Sequence, residues 1–374
     1  MTGWGEYLFN AIGKSDVTAV SKLRQEGPRG EDAWNAHLTL FPAVQRVLNP
    51  PFINPHLPKM YAICRELRPY MELEDIPGLL YMESIEYARR QKLELHLRPV
   101  PETEGDGASM PFSKIEEAIR SRDAQIAASY FAAYVRQHGA RELARGLLLI
   151  GSGYLVESLG HSLSCTVFIL QEMLARQDQD PWPALVVLAD YFIKGRFDTT
   201  PSFRKPPQPI EQSLPDLMLR STAGSSFIDI HHTITLYAIE RARELVSREE
   251  HEHLVASWLD WMGKKEPRAT LVEAPEQGYV LDYAMFYRAF SALDTEAVTR
   301  IAVPLTASAE GRKLAGRFLI KGLCDLYQGD YNPHYVTGLG AMLWVVGQHA
   351  DQPSLVSNAL HQYVGFLFRA LGGN

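Results

Sequence analysis

The chain is poor in cysteine, with only Cys64, Cys165 and Cys324 among 374 residues. Three thiols, odd in number and far apart, exclude a dense disulfide framework and point to reduced cysteines. No CxxC pair occurs, which excludes a structural zinc ribbon. Excess charge is also scarce: 37 Lys and Arg stand against 44 Asp and Glu, a net charge of -7. That balance argues against a nucleic-acid partner. Apolar runs are short, and even Leu147 to Ile150 soon gives way to Gly, Ser and Glu. None approaches the roughly 20 residues of a membrane span. The opening MTGWGEYLFNAIGKSD lacks the basic-then-apolar order of a signal peptide. The expectation is a cytoplasmic protein with no membrane partner.

Familiar catalytic signatures are missing as well. There is no GxGxxG after a strand, no P-loop and no GxSxG elbow. GSGY at Gly151 lies inside a helical pattern. The usual NAD and FAD fingerprint is therefore absent. No HExxH occurs, nor a pair of Glu-x-x-His elements of the ferritin-like di-iron type. His251-Glu252-His253 falls in the charged run SREEHEHL, a solvated helix start. Period-two alternation is nearly absent too; LELHL at Leu93 to Leu97 is the one short candidate strand.

What the sequence does contain is helical periodicity, with 46% hydrophobic residues, enough for a large core. Ile115, Ala118, Ile119, Ile126, Tyr130, Phe131 and Tyr134 recur at intervals of three and four, one buried helical face. Ile230, Ile234, Tyr237, Ala238 and Leu245 repeat the pattern, as does Leu355 to Leu371. Ser15-Asp16, Asp180-Pro181 and Asn332-Pro333 place a cap or proline where a helix should begin. The reading is all-α, with roughly fifteen helices of ordinary length. Three segments read as loops: Arg98 to Phe112, the proline-rich Gly195 to Pro215, and Gly263 to Gly278.

The chain also echoes itself. AIRSRDAQIAASYF from Ala118 resembles AFSALDTEAVTRIA from Ala289, and ARELARGLLLIG from Ala140 resembles EGRKLAGRFLIKG from Glu310. Each block leads to a helix that begins near a histidine, His161 in one and His334 in the other. Upstream, HLTLFPAVQR from His37 parallels HTITLYAIER from His232. These echoes suggest a single helical domain over 1–374, built of related halves at about 1–195 and 216–374 joined by a Pro-rich loop at 196–215.

Four histidines at equivalent places of such a fold, His37, His161, His232 and His334, are candidates to converge on one metal ion. Neutral imidazole is the commonest ligand for transition metals, and helical bundles build sites from inward-facing side chains. A histidine hydrogen-bonded to backbone in an ordinary core is the plain alternative for each. His231 and His232 are adjacent and about 100° apart on a helix, so only one faces any given centre. The register with His37 favours His232. His56 is the alternative to His37, because NPH precedes its helix as NPH precedes that of His334. Lys321, in the apolar run GRFLIKGLCDLY, has several readings: a surface partner for Asp325, a neutral catalytic amine, or a carbamate ligand.

The order of an early histidine, AIRSRDAQIA, LGHSLSCTVFILQEM, IDIHHTITLYAIERAREL and KGLCDLYQGDYNPHY resembles the questin oxidase-like family. Its members are oxygenases that open or oxidise anthraquinone-type polyketides. The resemblance covers most of the chain and rests on histidine order and helical context. Gly160-His161 matches the family's Gly-His element, which continues here as SLSC. The resemblance implies an Fe(II)-dependent enzyme acting with dioxygen on an aromatic, polyketide-like small molecule. Phe131, Tyr154, Tyr237 and Phe286 are candidates to pack against that substrate. Two other readings remain open: a metal-free helical-repeat scaffold, and a non-redox helical enzyme using the same pocket.

Overall fold

A computed structural model of the protein describes residues 3–95, 109–176, 179–200, 212–263, 282–329 and 332–372. Among these the fold is all-α, with no strand; Val47–Lys92 and Asn49–Phe52 are isolated bridges. Lys92 directly precedes the candidate strand at Leu93, and that single bridge is all the pairing the described part of LELHL neighbours. No described helix is long and apolar enough to cross a membrane.

The expected helix starts have identifiable caps. The Asp16 carboxylate accepts from the Ala19 amide, and the Trp182–Gly195 and His334–Gln348 helices follow directly on Pro181 and Pro333. Ser213, Ser226 and Ser247 each form a full capping box with the acidic residue three positions on. The helix from Leu214 takes in Leu214 and Pro215, the end of the expected 195–215 loop. Residues 201–211, and most of the other two expected loops, lie outside the described residues.

Four helices pack in a ring at the centre: His56–Glu66, His161–Ala175, Phe227–Ala242 and His334–Gln348. Each touches the next and the last returns to the first. Their sequences explain the central place. His56 through Cys64 are all buried, and so is every residue from His161 to Leu170 and from Ile230 to Ile239. These stretches hold no acid and a single charged residue, Lys59, so no face of them is built for water and they are enclosed. The enclosing layer includes Ala140–Ser152 behind the His161 helix and Pro353–Gly372 behind the His334 helix. Gly340 permits the ring to close, since a Cβ there would stand 2.4 Å from Ile63 Cγ2 of the His56 helix.

The sequence echo has a local counterpart. Both AIRSRDAQIA and AFSALDTEAV fold as helix, turn and helix, with Arg122 and Leu293 at positive φ. The following Asp123 and Asp294 each cap the second helix. HLTLFPAVQR and HTITLYAIER do not match in this way. His37 closes the helix Gly30–Leu38, which breaks before the short turn Phe41–Val44, whereas His232 lies well inside one long helix.

Candidate metal centre

Three ring helices begin on a histidine, so His56, His161 and His334 meet at one end of the ring. All three are buried, and one ligand atom from each falls within 4.8 Å of the other two. His56 Nε2 lies 2.7 Å from His161 Nε2, which lies 3.3 Å from His334 Nε2. His231, from the fourth helix, stands beside the group, with its ring centroid 4.8 Å from that of His161 and 4.5 Å from that of His334.

The outward nitrogens decide the protonation of the inward ones. His161 Nδ1 is 2.7 Å from the Ser158 carbonyl, which only accepts, so Nδ1 carries the hydrogen and Nε2 is a bare lone pair. His334 Nδ1 donates to Asn332 Oδ1 at 2.6 Å, and the His334 amide fixes that oxygen by donating to it as well. His231 Nδ1 donates to the Phe227 carbonyl at 2.5 Å, which leaves its Nε2 buried with no partner. The 3.3 Å contact between His161 and His334 is therefore lone pair against lone pair, not a hydrogen bond. His56 Nδ1 lies 3.2 Å from the Asn49 side-chain amide. A hydrogen on His56 Nε2 can satisfy one of the facing lone pairs only.

Electrostatics keep these rings neutral. Burial foremost, then Lys59 and His231, holds the His56 imidazole well below its usual value. Burial acts first on His161 and His334 too, helped by His56 in one and His231 in the other. His231 is pulled down to about 4 by burial, against the Phe227 carbonyl, which opposes the shift. The positive ends of four helices face the same point and act in the same sense. Buried lone pairs converging without hydrogens cost roughly 1–3 kcal/mol apiece when unsatisfied. A cation among them removes that cost. Nitrogens about 3 Å apart suit a first-row ion at roughly 2.1 Å from each, so the residues fit a metal. No described carboxylate joins the group.

Of the four histidines expected at a common centre, the structure brings together His161 and His334. His37 instead pairs with the buried Glu83 at 2.5 Å, between the rings of Trp34 and Tyr61. His232 points to the other side of its helix, against Trp261. His56 and His231, the alternatives to those two, are the ones that face the cluster. Lys321 lies at the surface, 2.9 Å from Asp325 and over the ring of Tyr283. The buried lysine is Lys59, one turn along from His56, and its amine donates to Ser164 Oγ at 2.9 Å. A lysine within HLPKMYAIC, with no acid three or four residues away, was the signal for it.

A cavity of about 270 Å³ opens on His56, His161 and His334. Its apolar wall comes from Phe52, Leu159, Phe227 and neighbouring prolines. Phe131 and Phe286 lie instead in the closed core, Tyr237 stacks on Trp344, and Tyr154 packs against Phe197. None of those four lines the cavity. Comparison with family models, curated proteins and solved structures finds no match for the chain.

Proposed function

We propose that the protein is a histidine-ligated metalloenzyme, a non-haem iron oxygenase acting with dioxygen on an aromatic, polyketide-like small molecule. The observation that carries this reading is the set of inward Nε2 lone pairs on His161, His231 and His334, with His56 beside them. His56, His161 and His334 would hold the ion, with His231 beside them. Ser158, Asn332, Phe227 and Asn49 orient the four rings through their other nitrogens, the usual task of residues behind metal-ligating histidines. Fe(II) bound there would supply redox chemistry toward dioxygen, which no side chain of the site offers. The Phe52 and Phe227 rings, both largely exposed at the cavity, offer faces for a flat substrate.

Neutral imidazoles suit zinc as well, and three of them with an open position favour a second reading, a zinc enzyme without redox chemistry. Elemental analysis of anaerobically purified protein separates the two. Iron near one equivalent, lost in His161→Ala and His334→Ala, is the expected result, with oxygen uptake on reconstitution. Zinc without oxygen uptake would favour the second reading, and no metal of either kind would sink both.

A further inference from the structure

Arg90 is the only charged side chain among the described residues that line the histidine cavity. It follows the helix Ile76–Arg89 and is 25% exposed. Its one ion pair, to Glu86 at 3.2 Å, is shared: Glu86 also faces Arg89 at 3.7 Å and accepts from the Tyr327 hydroxyl. Two guanidinium groups thus stand against one carboxylate. Its one described hydrogen bond runs from Nη2 to Glu86, which leaves Nη1 with no described partner. A guanidinium presents five donors in a planar fork that matches a carboxylate, so unfilled donors beside a cavity define what they accept. The surroundings add no negative charge. The imidazoles are neutral, and helices of 11, 15 and 15 residues start at the cavity floor with their positive ends toward it.

We infer that Arg90 makes this cavity a receptor for a small, flat organic carboxylate. The carboxylate group meets the free edge of the guanidinium, and the apolar skeleton lies against Phe52, Leu159 and Phe227 toward the histidines. The volume of about 270 Å³ sits just below the usual range for ligand pockets, which limits the guest to a small ring system. This assignment rests on the reading of the cavity as the active site and narrows its substrate class from aromatic compounds in general to aromatic acids.

The test is isothermal titration of the full chain with benzoate and with benzamide, a neutral probe of the same shape. Wild-type protein should bind benzoate about ten- to a hundredfold more tightly than benzamide, the range of a charge-assisted hydrogen bond. Arg90→Gln should erase that preference, and urea unfolding monitored by circular dichroism shows that the variant is folded. Arg90→Lys should retain part of it. The titrations are repeated after chelation, because a carboxylate also binds metal. Equal affinity for the two probes in the wild type, binding of neither, or a preference that survives Arg90→Gln would overturn the inference. Metal content distinguishes this from failure of the metal reading: wild-type protein lacking metal yet preferring benzoate would sink the metal reading alone.

Discussion

Replacing Lys59 with methionine should make the protein more stable, although Lys59 sits in the centre of the helix ring. Its amine is fully buried, and the Ser164 hydroxyl is its described hydrogen-bond partner. Burial pulls its pKa from 10.5 to about 8. At about 1.36 kcal/mol per unit, holding that charge inside costs the folded state about 3 kcal/mol at pH 7. Methionine has similar length and no charge, and loss of the Ser164 bond returns about 1 kcal/mol. The net expectation is a gain of about 2 kcal/mol in Lys59→Met at pH 7. Between pH 8 and 10.5 the unfolded chain keeps a proton that the folded chain has released, so wild-type stability rises with pH through that window. The advantage of the variant should therefore shrink steadily toward pH 10. Urea unfolding monitored by circular dichroism at pH 7, 8.5 and 10 measures both quantities. A variant less stable than wild type at pH 7, or a difference that does not change with pH, would refute the reasoning.

Three further outcomes follow from the same geometry. Glu83→Leu removes the buried acceptor of both the His37 ring and the Tyr87 hydroxyl and should destabilise by roughly 1–3 kcal/mol for each group left unsatisfied in urea unfolding, while bound metal per folded chain stays unchanged; loss of metal would argue against a His37 remote from the centre. Gly160→Ala places a Cβ 2.0 Å from Thr235 Oγ1 at a φ of 76°, immediately before His161. It should lower the melting temperature and weaken metal binding together, and a variant normal in both would contradict the tight turn. In metal-free protein, His231 titrates near 4 when folded and near 6.5 when unfolded. The unfolded chain binds more protons between those values, so stability should fall by about 3 kcal/mol as pH drops from 6.5 toward 4. A urea midpoint identical at pH 7 and pH 4.5 would argue against that burial.

The helices were legible because their apolar spacing is strong and their caps are conventional, as at Asp16, Pro181 and Pro333. The ring was not. Helices buried all round, such as Ile230 to Ile239, carry no stripe that says which neighbour each face meets. The choice between histidines turned on the same limit. Aligning HLTLFPAVQR with HTITLYAIER matched residue types across a broken helix and an intact one, and so favoured His37 and His232. The repeated NPH at 54–56 and 332–334 was the better guide, because it fixes where a helix starts and hence which end its histidine occupies. Lys321 has Asp325 one turn away, which predicts a surface pair. Lys59 has Pro55, His56, Ala62 and Ile63 at the corresponding spacings, and nothing nearby to draw it outward. Arg90 gives no sequence signal, since its place at the cavity depends on how the helix Ile76–Arg89 ends against distant loops.

The ring closes through the His334 helix, which packs on the His56 helix from far along the chain. His161 is separated from His56 by 105 residues and from His334 by 173. During synthesis the chain before His334 can therefore assemble only an open groove, with His56, His161 and His231 along its floor. The last seam is made when the helix carrying His334 docks, and the loop closures it requires are slow to form. Metal uptake would then report on completed folding, and a chain stopped before His334 would present the apolar flanks of the groove to its neighbours, a surface suited to aggregation.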